Sequence, residues 1–125
     1  MGAAVLWQRV EGGIVFLAGI LLFLHGNMEL PWWLAVLIFL APDLSFLGYL
    51  LGPKAGAFVY NTVHIYGLGA AFLAAGLSLS LPVCAALGAL WLAHAGFDRM
   101  LGYGLKLPEG FAFTHLGRIG KKPLN

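Results

Sequence analysis

Apolar residues run along this chain in four long stretches, broken by short segments that contain prolines, glycines or polar residues. Each stretch is long enough for a helix that crosses a bilayer, which takes about 20 apolar residues. The pattern predicts helices over residues 8–25, 31–51, 55–79 and 82–101. The first is the shortest in its uninterrupted part, Gly12 to Leu24, and spans only if its polar ends lie near both interfaces. Asn27-Met28-Glu29 reads as a turn, and Pro31 stands at a favoured first-turn position of the second helix. Trp32 and Trp33 then fall in the headgroup belt. Pro42 predicts a kink in that helix and a freed carbonyl one turn back, with Asp43 directly after it. Gly52-Pro53-Lys54 and Ser80-Leu81-Pro82 read as the remaining turns. Residues 105–125 are too polar and glycine-rich to span and read as an interfacial tail with some short helix. The expected fold is all-α: a polytopic membrane four-helix bundle over residues 1–104, followed by that tail.

Composition supports this frame. Of the 125 residues, 61% are hydrophobic and 10% charged, and the mean hydropathy is +0.90, whereas a soluble domain carries about 25% charged residues. Arg9 followed by Ile14 to Leu24 imitates a signal peptide, but no Ala-x-Ala-like site follows and Glu11 is foreign to such a leader, so the segment reads as a retained helix. The basic residues Arg9, Lys54, Arg99, Lys106, Arg118, Lys121 and Lys122 all fall at one end of the bundle. That asymmetry places both termini and the second turn in the cytoplasm, and suits a prokaryotic inner membrane. The net charge of +2 gives no case for nucleic acid. The single cysteine, Cys84, excludes an internal disulfide. Small residues on the last two helices, among them Gly67, Gly69, Gly88 and Ala89, permit close helix contacts within one chain or in a homo-oligomer.

The polar residues inside these helices carry the chemistry. At about 1.5 Å per residue, Asp43, His64 and His94 lie roughly 12 Å from the cytoplasmic end and Asp98 roughly 6 Å. Glu11 sits near the cytoplasmic mouth of the first helix, while His25 falls at the opposite end. His94 and Asp98 share a helix face at i,i+4 spacing, and Arg99 points about 100° away. A charge buried near the middle of a membrane helix costs about 2.5–3.5 kcal/mol on insertion scales, so these groups need protons, cations or metal. Glu11, Asp43, His64, His94 and Asp98 form a mixed nitrogen and oxygen ligand set that suits one or two ions of Zn, Mn or Fe. A structural Asp–His network and a proton or ion path are the other readings.

Other residues take supporting places. Asn61, on the His64 face, reads as a hydrogen-bonding group that orients His64 or a carboxylate. Trp91, one turn from His94, reads as a wall of the polar pocket. Arg99 and Lys106 read as cytoplasm-facing cations that meet lipid headgroups or clamp an anionic substrate. Glu11 reads as a ligand, a general base or an interfacial partner of Arg9, the last disfavoured because i,i+2 spacing keeps the two off one helix face. The alternating segment Phe111-Ala-Phe113-Thr-His115-Leu-Gly-Arg118 reads as an interfacial anchor, or as a flap that folds under the bundle and brings His115 to the mouth as ligand or general acid.

Arg9-Val-Glu11-Gly, Ala41-Pro-Asp43-Leu-Ser45, Tyr60-Asn61-x-x-His64, His94-x-Gly-Phe-Asp98-Arg99-x-x-Gly-Tyr-Gly-Leu-Lys106 and Thr114-His115-Leu-Gly together resemble the family called domain of unknown function 4260, over nearly the whole chain. More distantly, the order Pro-Asp, His, His-x-x-x-Asp is similar to the LexA-regulated membrane-bound metal-dependent hydrolases. That second resemblance implies a metal-dependent hydrolase of a lipid-borne or amphipathic ester or phosphoester. The alternative class is a small ion or proton carrier, or an accessory membrane subunit, using the same cluster.

Overall fold

A computed structural model describes residues 2–26 and 30–120. The expected turn at Asn27-Met28-Glu29 and the tail residues Lys121 and Lys122 lie outside the described residues. The elements are α1 (Ala3–Gly26), α2 (Trp32–Leu40), a 3₁₀ helix (Ala41–Leu51), α3 (Pro53–His64), α4 (Tyr66–Ser78), α5 (Pro82–Leu101) and the strands β1 (Lys106–Leu107), β2 (Gly110–Thr114) and β3 (Gly117–Arg118). Since α2 continues into the 3₁₀ helix and one residue parts α3 from α4, the helices form four rods. Three of them, Ala3–Gly26, Trp32–Leu51 and Pro53–Ser78, are long and apolar enough to cross a membrane.

The fourth rod, α5, keeps the expected bounds and forms the core. Its small residues Ala85, Ala89, Ala93 and Gly96 are buried, and it packs against α1, α2 and α4. Close approach is the reason. A Cβ added at Gly12 of α1 would lie 2.7 Å from the Gly96 carbonyl, so only glycine lets the two backbones cross there. The other rods turn large apolar residues outward, among them Leu17, Leu37, Leu50 and Phe58. In a bilayer those residues meet lipid rather than water. First-helix residues 3–7, expected outside the helix, extend it by more than a turn, because Ala, Val and Leu carry the apolar pattern on.

Two of the expected straight rods are irregular, and both departures fall beside the polar cluster. After Leu40 the chain tightens into an 11-residue 3₁₀ helix instead of kinking and resuming as α. Side chains three apart eclipse in such a helix. The sequence obeys that period in three rows. Pro42 and Ser45 are buried and Gly48 abuts Val59. Leu44, Leu47 and Leu50 are exposed. In the third row Asp43 faces the polar cluster, the Phe46 ring lies 5.3 Å from Tyr60, and the Tyr49 ring lies 5.3 Å from Phe111. A rise of about 2.0 Å per residue places Asp43 about 16 Å from the end of this rod, deeper than an α-helix would.

The third rod breaks at Ile65, which is extended (φ −81°, ψ 154°), where a continuous helix over 55–79 was expected. No proline or glycine causes it. Instead, α5 satisfies the carbonyls that the break frees: Trp91 Nε1 donates to Val63 O at 2.6 Å and Arg99 Nη2 donates to His64 O at 2.8 Å. Interrupted helices persist in membranes where side chains re-satisfy the backbone in this way. The C-terminus of α5 is closed by Gly102 in the left-handed region (φ 97°), with Tyr103 N–H donating to Asp98 O and Gly102 N–H to Arg99 O. Arg9 Nε adds a bond to Met100 O at 2.9 Å.

The tail is a correction to the all-α expectation. It forms a three-stranded antiparallel sheet in the order β1-β2-β3, with Phe113 opposite Arg118 and Thr114 opposite Gly117. The alternation Phe111-Ala112-Phe113-Thr114 has the period of two that a strand requires. This sheet packs on α3.

Candidate metal centre

Asp43 comes from the 3₁₀ helix, His64 from the last residue of α3, and His94 and Asp98 from one face of α5. One ligand atom from each lies within 4.8 Å of the other three. His94 Nε2 is 3.1 Å from Asp43 Oδ1 and 3.5 Å from Asp98 Oδ2. His64 Nε2 is 3.3 Å from Asp43 Oδ1 and 3.4 Å from Asp98 Oδ2. The two Nε2 atoms are 3.2 Å apart. Metal–ligand bonds of about 2.0–2.2 Å give tetrahedral edges of about 3.3–3.6 Å. Five of the six separations are therefore close to the edges of a tetrahedron around one ion, and the sixth, between Asp43 and Asp98, is no more than 4.8 Å. Two imidazoles and two carboxylates suit Zn, Mn or Fe.

The histidines are oriented by their second nitrogens. His64 Nδ1 lies 2.8 Å from the Tyr60 carbonyl, which only accepts, so the proton sits on Nδ1 and Nε2 presents a lone pair to the centre. The Tyr60 ring stacks on His64 at 3.7 Å and 7°. His94 packs edge-to-face with Phe39 at 5.3 Å. Its Nδ1 is buried towards the Phe39 main chain, without a hydrogen bond of good geometry among the described residues. Pro42 has no N–H to offer the Phe39 carbonyl three residues back, so the 3₁₀ start leaves an acceptor on that side. Both imidazoles are almost fully buried, whereas the Asp43 side chain is 43% exposed and that of Asp98 15%.

The remaining candidates fall elsewhere. Glu11 is exposed and is not among the four convergent groups. Arg99 is buried rather than facing outward, and its guanidinium holds the His64 and Tyr103 carbonyls and packs over the Tyr66 ring at 5.4 Å. It secures the broken end of α3. Asn61 does not reach His64 or a carboxylate: its Nδ2 donates to Lys106 O at 2.8 Å and its Oδ1 accepts from Lys106 N at 2.7 Å. It acts as a strand edge that docks β1 on α3. Lys106 is buried too, with Nζ donating to Phe111 O and lying 3.6 Å above the Phe111 ring and 5.1 Å from Tyr60. Burial pulls its ammonium below the ordinary lysine value, and the Asp98 carboxylate opposes that pull.

His115 stands in the turn between β2 and β3, outside the four convergent groups. Its Nδ1 accepts from the Leu105 N–H at 2.9 Å. Burial and the positive charge of Arg99 hold it below the usual imidazole value. Trp91 walls a different space. With Ile38, Pro42, Ser45, Val63 and Leu87 it lines an apolar groove of about 410 Å³ between α2, α3 and α5.

Tyr60 was not anticipated as part of the site. Its signal is the Tyr60-x-x-x-His64 spacing, which stacks the two rings on one face of α3. The chain matches the family described as Domain of unknown function (DUF4260) over residues 5–119. No curated protein and no solved structure matches it.

Proposed function

The chain belongs to the DUF4260 family, a domain of unknown function, and from its buried centre we propose that it is an integral membrane protein that holds one divalent transition metal ion between Asp43, His64, His94 and Asp98. The observation that carries this reading is the convergence of two imidazole nitrogens and two carboxylate oxygens within 4.8 Å of one another, with five of the six separations at 3.1–3.5 Å. The orientation follows the basic residues, with both termini, the Gly52 turn and the tail sheet in the cytoplasm. The four donors suit one ion rather than two, because a pair of ions about 3.5–4 Å apart needs further bridging ligands.

The reaction class we propose is hydrolysis of a lipid-borne or amphipathic ester or phosphoester. A bound divalent ion lowers the pKa of water and polarises a substrate oxygen. The residues of the chain supply the rest. Asp43, the most exposed of the four ligands, is placed to give way to substrate and to accept a proton. Lys106 uses one N–H on Phe111 O, and its ammonium, 5.1 Å from the Tyr60 ring, adds a positive charge near the centre that favours an anionic head. Exposed apolar residues on Trp32–Leu51 let a lipid reach this wall from the bilayer.

One observation favours a second reading. Two imidazole nitrogens 3.2 Å apart require a proton or a cation between them, and a proton there makes the cluster an Asp–His proton path. Reconstituted protein loaded with Zn, Mn or Fe separates the two. We expect release of product from long-chain ester and phosphoester substrates, abolished by chelator and by His94→Ala. Proton leak through vesicles carrying the metal-free protein, with no turnover by the loaded one, would contradict the hydrolase and support the path.

A further inference from the structure

Tyr60 touches the centre through three separate parts of one residue. Its carbonyl faces His64 Nδ1 at 2.8 Å, its ring lies flat on the His64 imidazole at 3.7 Å, and its hydroxyl donates to Asp98 Oδ2 at 3.3 Å. The residue is 2% exposed. The oxygen that receives the hydroxyl is the same one that faces both Nε2 atoms. From this we infer that Tyr60 is the positioning residue of the metal centre, which turns His64 Nε2 and Asp98 Oδ2 toward a common point before any ion arrives. The inference rests on the metal-binding reading proposed above.

Each ligand is held by what stands behind it. His64 has one rotatable ring and two faces. The flat stack fixes its plane, and the Nδ1–H bond fixes its tautomer and leaves Nε2 bare. Asp98 could turn either oxygen inward, and the Tyr60 hydroxyl selects Oδ2. The backing of Tyr60 is also dense. Phe46 packs on its ring at 5.3 Å and the Lys106 ammonium lies 5.1 Å away. The tail sheet is thus part of what holds Tyr60 in place. Partners of this kind behind metal ligands typically set affinity by about 10- to 100-fold.

Full-length protein in detergent micelles, titrated with Co(II) as a visible probe, tests this. Wild-type protein is expected to take up one equivalent with a tetrahedral visible band. Tyr60→Phe keeps the carbonyl and the stack but loses the hydroxyl. It is expected to bind Co(II) about 10- to 100-fold more weakly, with a shifted band. Gly76→Ala crowds the Ala85 backbone between α4 and α5 without touching a ligand or the packing around Tyr60; it is expected to lower the melting temperature and leave the band in place. Should Tyr60→Phe match wild-type affinity and spectrum, the positioning role is overturned while the centre stands. If wild-type protein takes up neither Co(II), Zn(II), Mn(II) nor Fe(II), the centre and this role fall together. A measurement on the unsubstituted chain guards against misfolding of the variant. Ring ¹⁵N resonances of His64 are expected to show a protonated Nδ1 and a bare Nε2, and the opposite tautomer overturns the proposal.

Discussion

The centre has two unlike walls. On one side, α3 and α5 supply His64, His94 and Asp98, each buried or nearly so and each backed by another group: the Tyr60 carbonyl, ring and hydroxyl, and the Phe39 ring. On the other side stands Asp43, on a 3₁₀ helix whose leucine row faces outward, with nearly half of its side chain exposed. The difference teaches how the roles divide. In the proposed metal centre, the wall fixed by packing sets the geometry of the donors, and the exposed wall leaves one position from which a ligand can be exchanged. Catalytic zinc sites keep such a position, whereas purely structural ones close all four.

The largest effect should appear when the packed wall is cut. His64→Ala and Asp98→Asn are expected to lower ion affinity by more than about 100-fold, measured by equilibrium dialysis, because the remaining ligands lose both a donor and the fixed frame. Asp43→Asn is expected to weaken binding less while removing activity, since Asp43 is the exposed ligand and water can take its place, whereas Asp98 is held by the Tyr60 hydroxyl. Equal losses from Asp98→Asn and Asp43→Asn would erase the distinction between the walls.

The 3₁₀ rows give the next test. Gly48→Val, in the same row as Pro42 and Ser45, puts a Cβ 2.8 Å from Val59 Cβ and is expected to destabilise the fold by about 1–3 kcal/mol in reversible unfolding. Leu47→Ala, on the exposed row, is expected to change stability by less than about 0.5 kcal/mol. If both cost the same, the segment does not keep a period of three.

Asn61→Ala removes two hydrogen bonds that hold β1 to α3 and is expected to loosen the tail by about 1–2 kcal/mol, seen as faster hydrogen exchange in residues 105–114. Ion affinity should change far less than in the packed-wall variants. A loss as large as that of Asp98→Asn would make the tail part of the centre itself.

The smallest effect is a pH dependence of the tail. His115 is held neutral in the folded chain, below the ordinary imidazole value near 6.5. The unfolded chain therefore takes up the proton first, and this contribution to stability is present above about pH 6.5 and declines as pH falls below it. Protonation of Nδ1 also ends its acceptance from Leu105. The Leu105 amide should exchange faster at pH 5.5 than its intrinsic rate predicts, and His115→Gln should remove that difference.

These walls were legible in the sequence to different degrees. The packed wall was largely visible: α5 begins at Pro82 and ends at Leu101 as its apolar pattern requires, and the His94-x-x-x-Asp98 spacing places both groups on one face. Depth counting brought Asp43 and His64 to the same level. The 3₁₀ helix was written in the rows Pro42/Ser45/Gly48 and Leu44/Leu47/Leu50, but a proline in an apolar run reads first as a kink. The break at Ile65 has no local signal, because Trp91 and Arg99 supply its hydrogen bonds from a distant helix. From spacing alone Arg99 and Lys106 look like cytoplasm-facing cations and Asn61 like a partner of His64 or a carboxylate; only the folded chain shows that backbone groups claim them. The tail alternation was present in the sequence, and its pairing into a sheet depended on the platform offered by α3.

The central claim is that Asp43, His64, His94 and Asp98 hold one ion. Elemental analysis of the purified protein tests it most directly, with His94→Ala and Asp43→Ala prepared alongside. The account predicts one Zn, Mn or Fe per wild-type chain, none retained by His94→Ala and markedly less by Asp43→Ala. A metal-free wild-type protein that also fails to take up these ions on dialysis, or a content unchanged in His94→Ala, would contradict it.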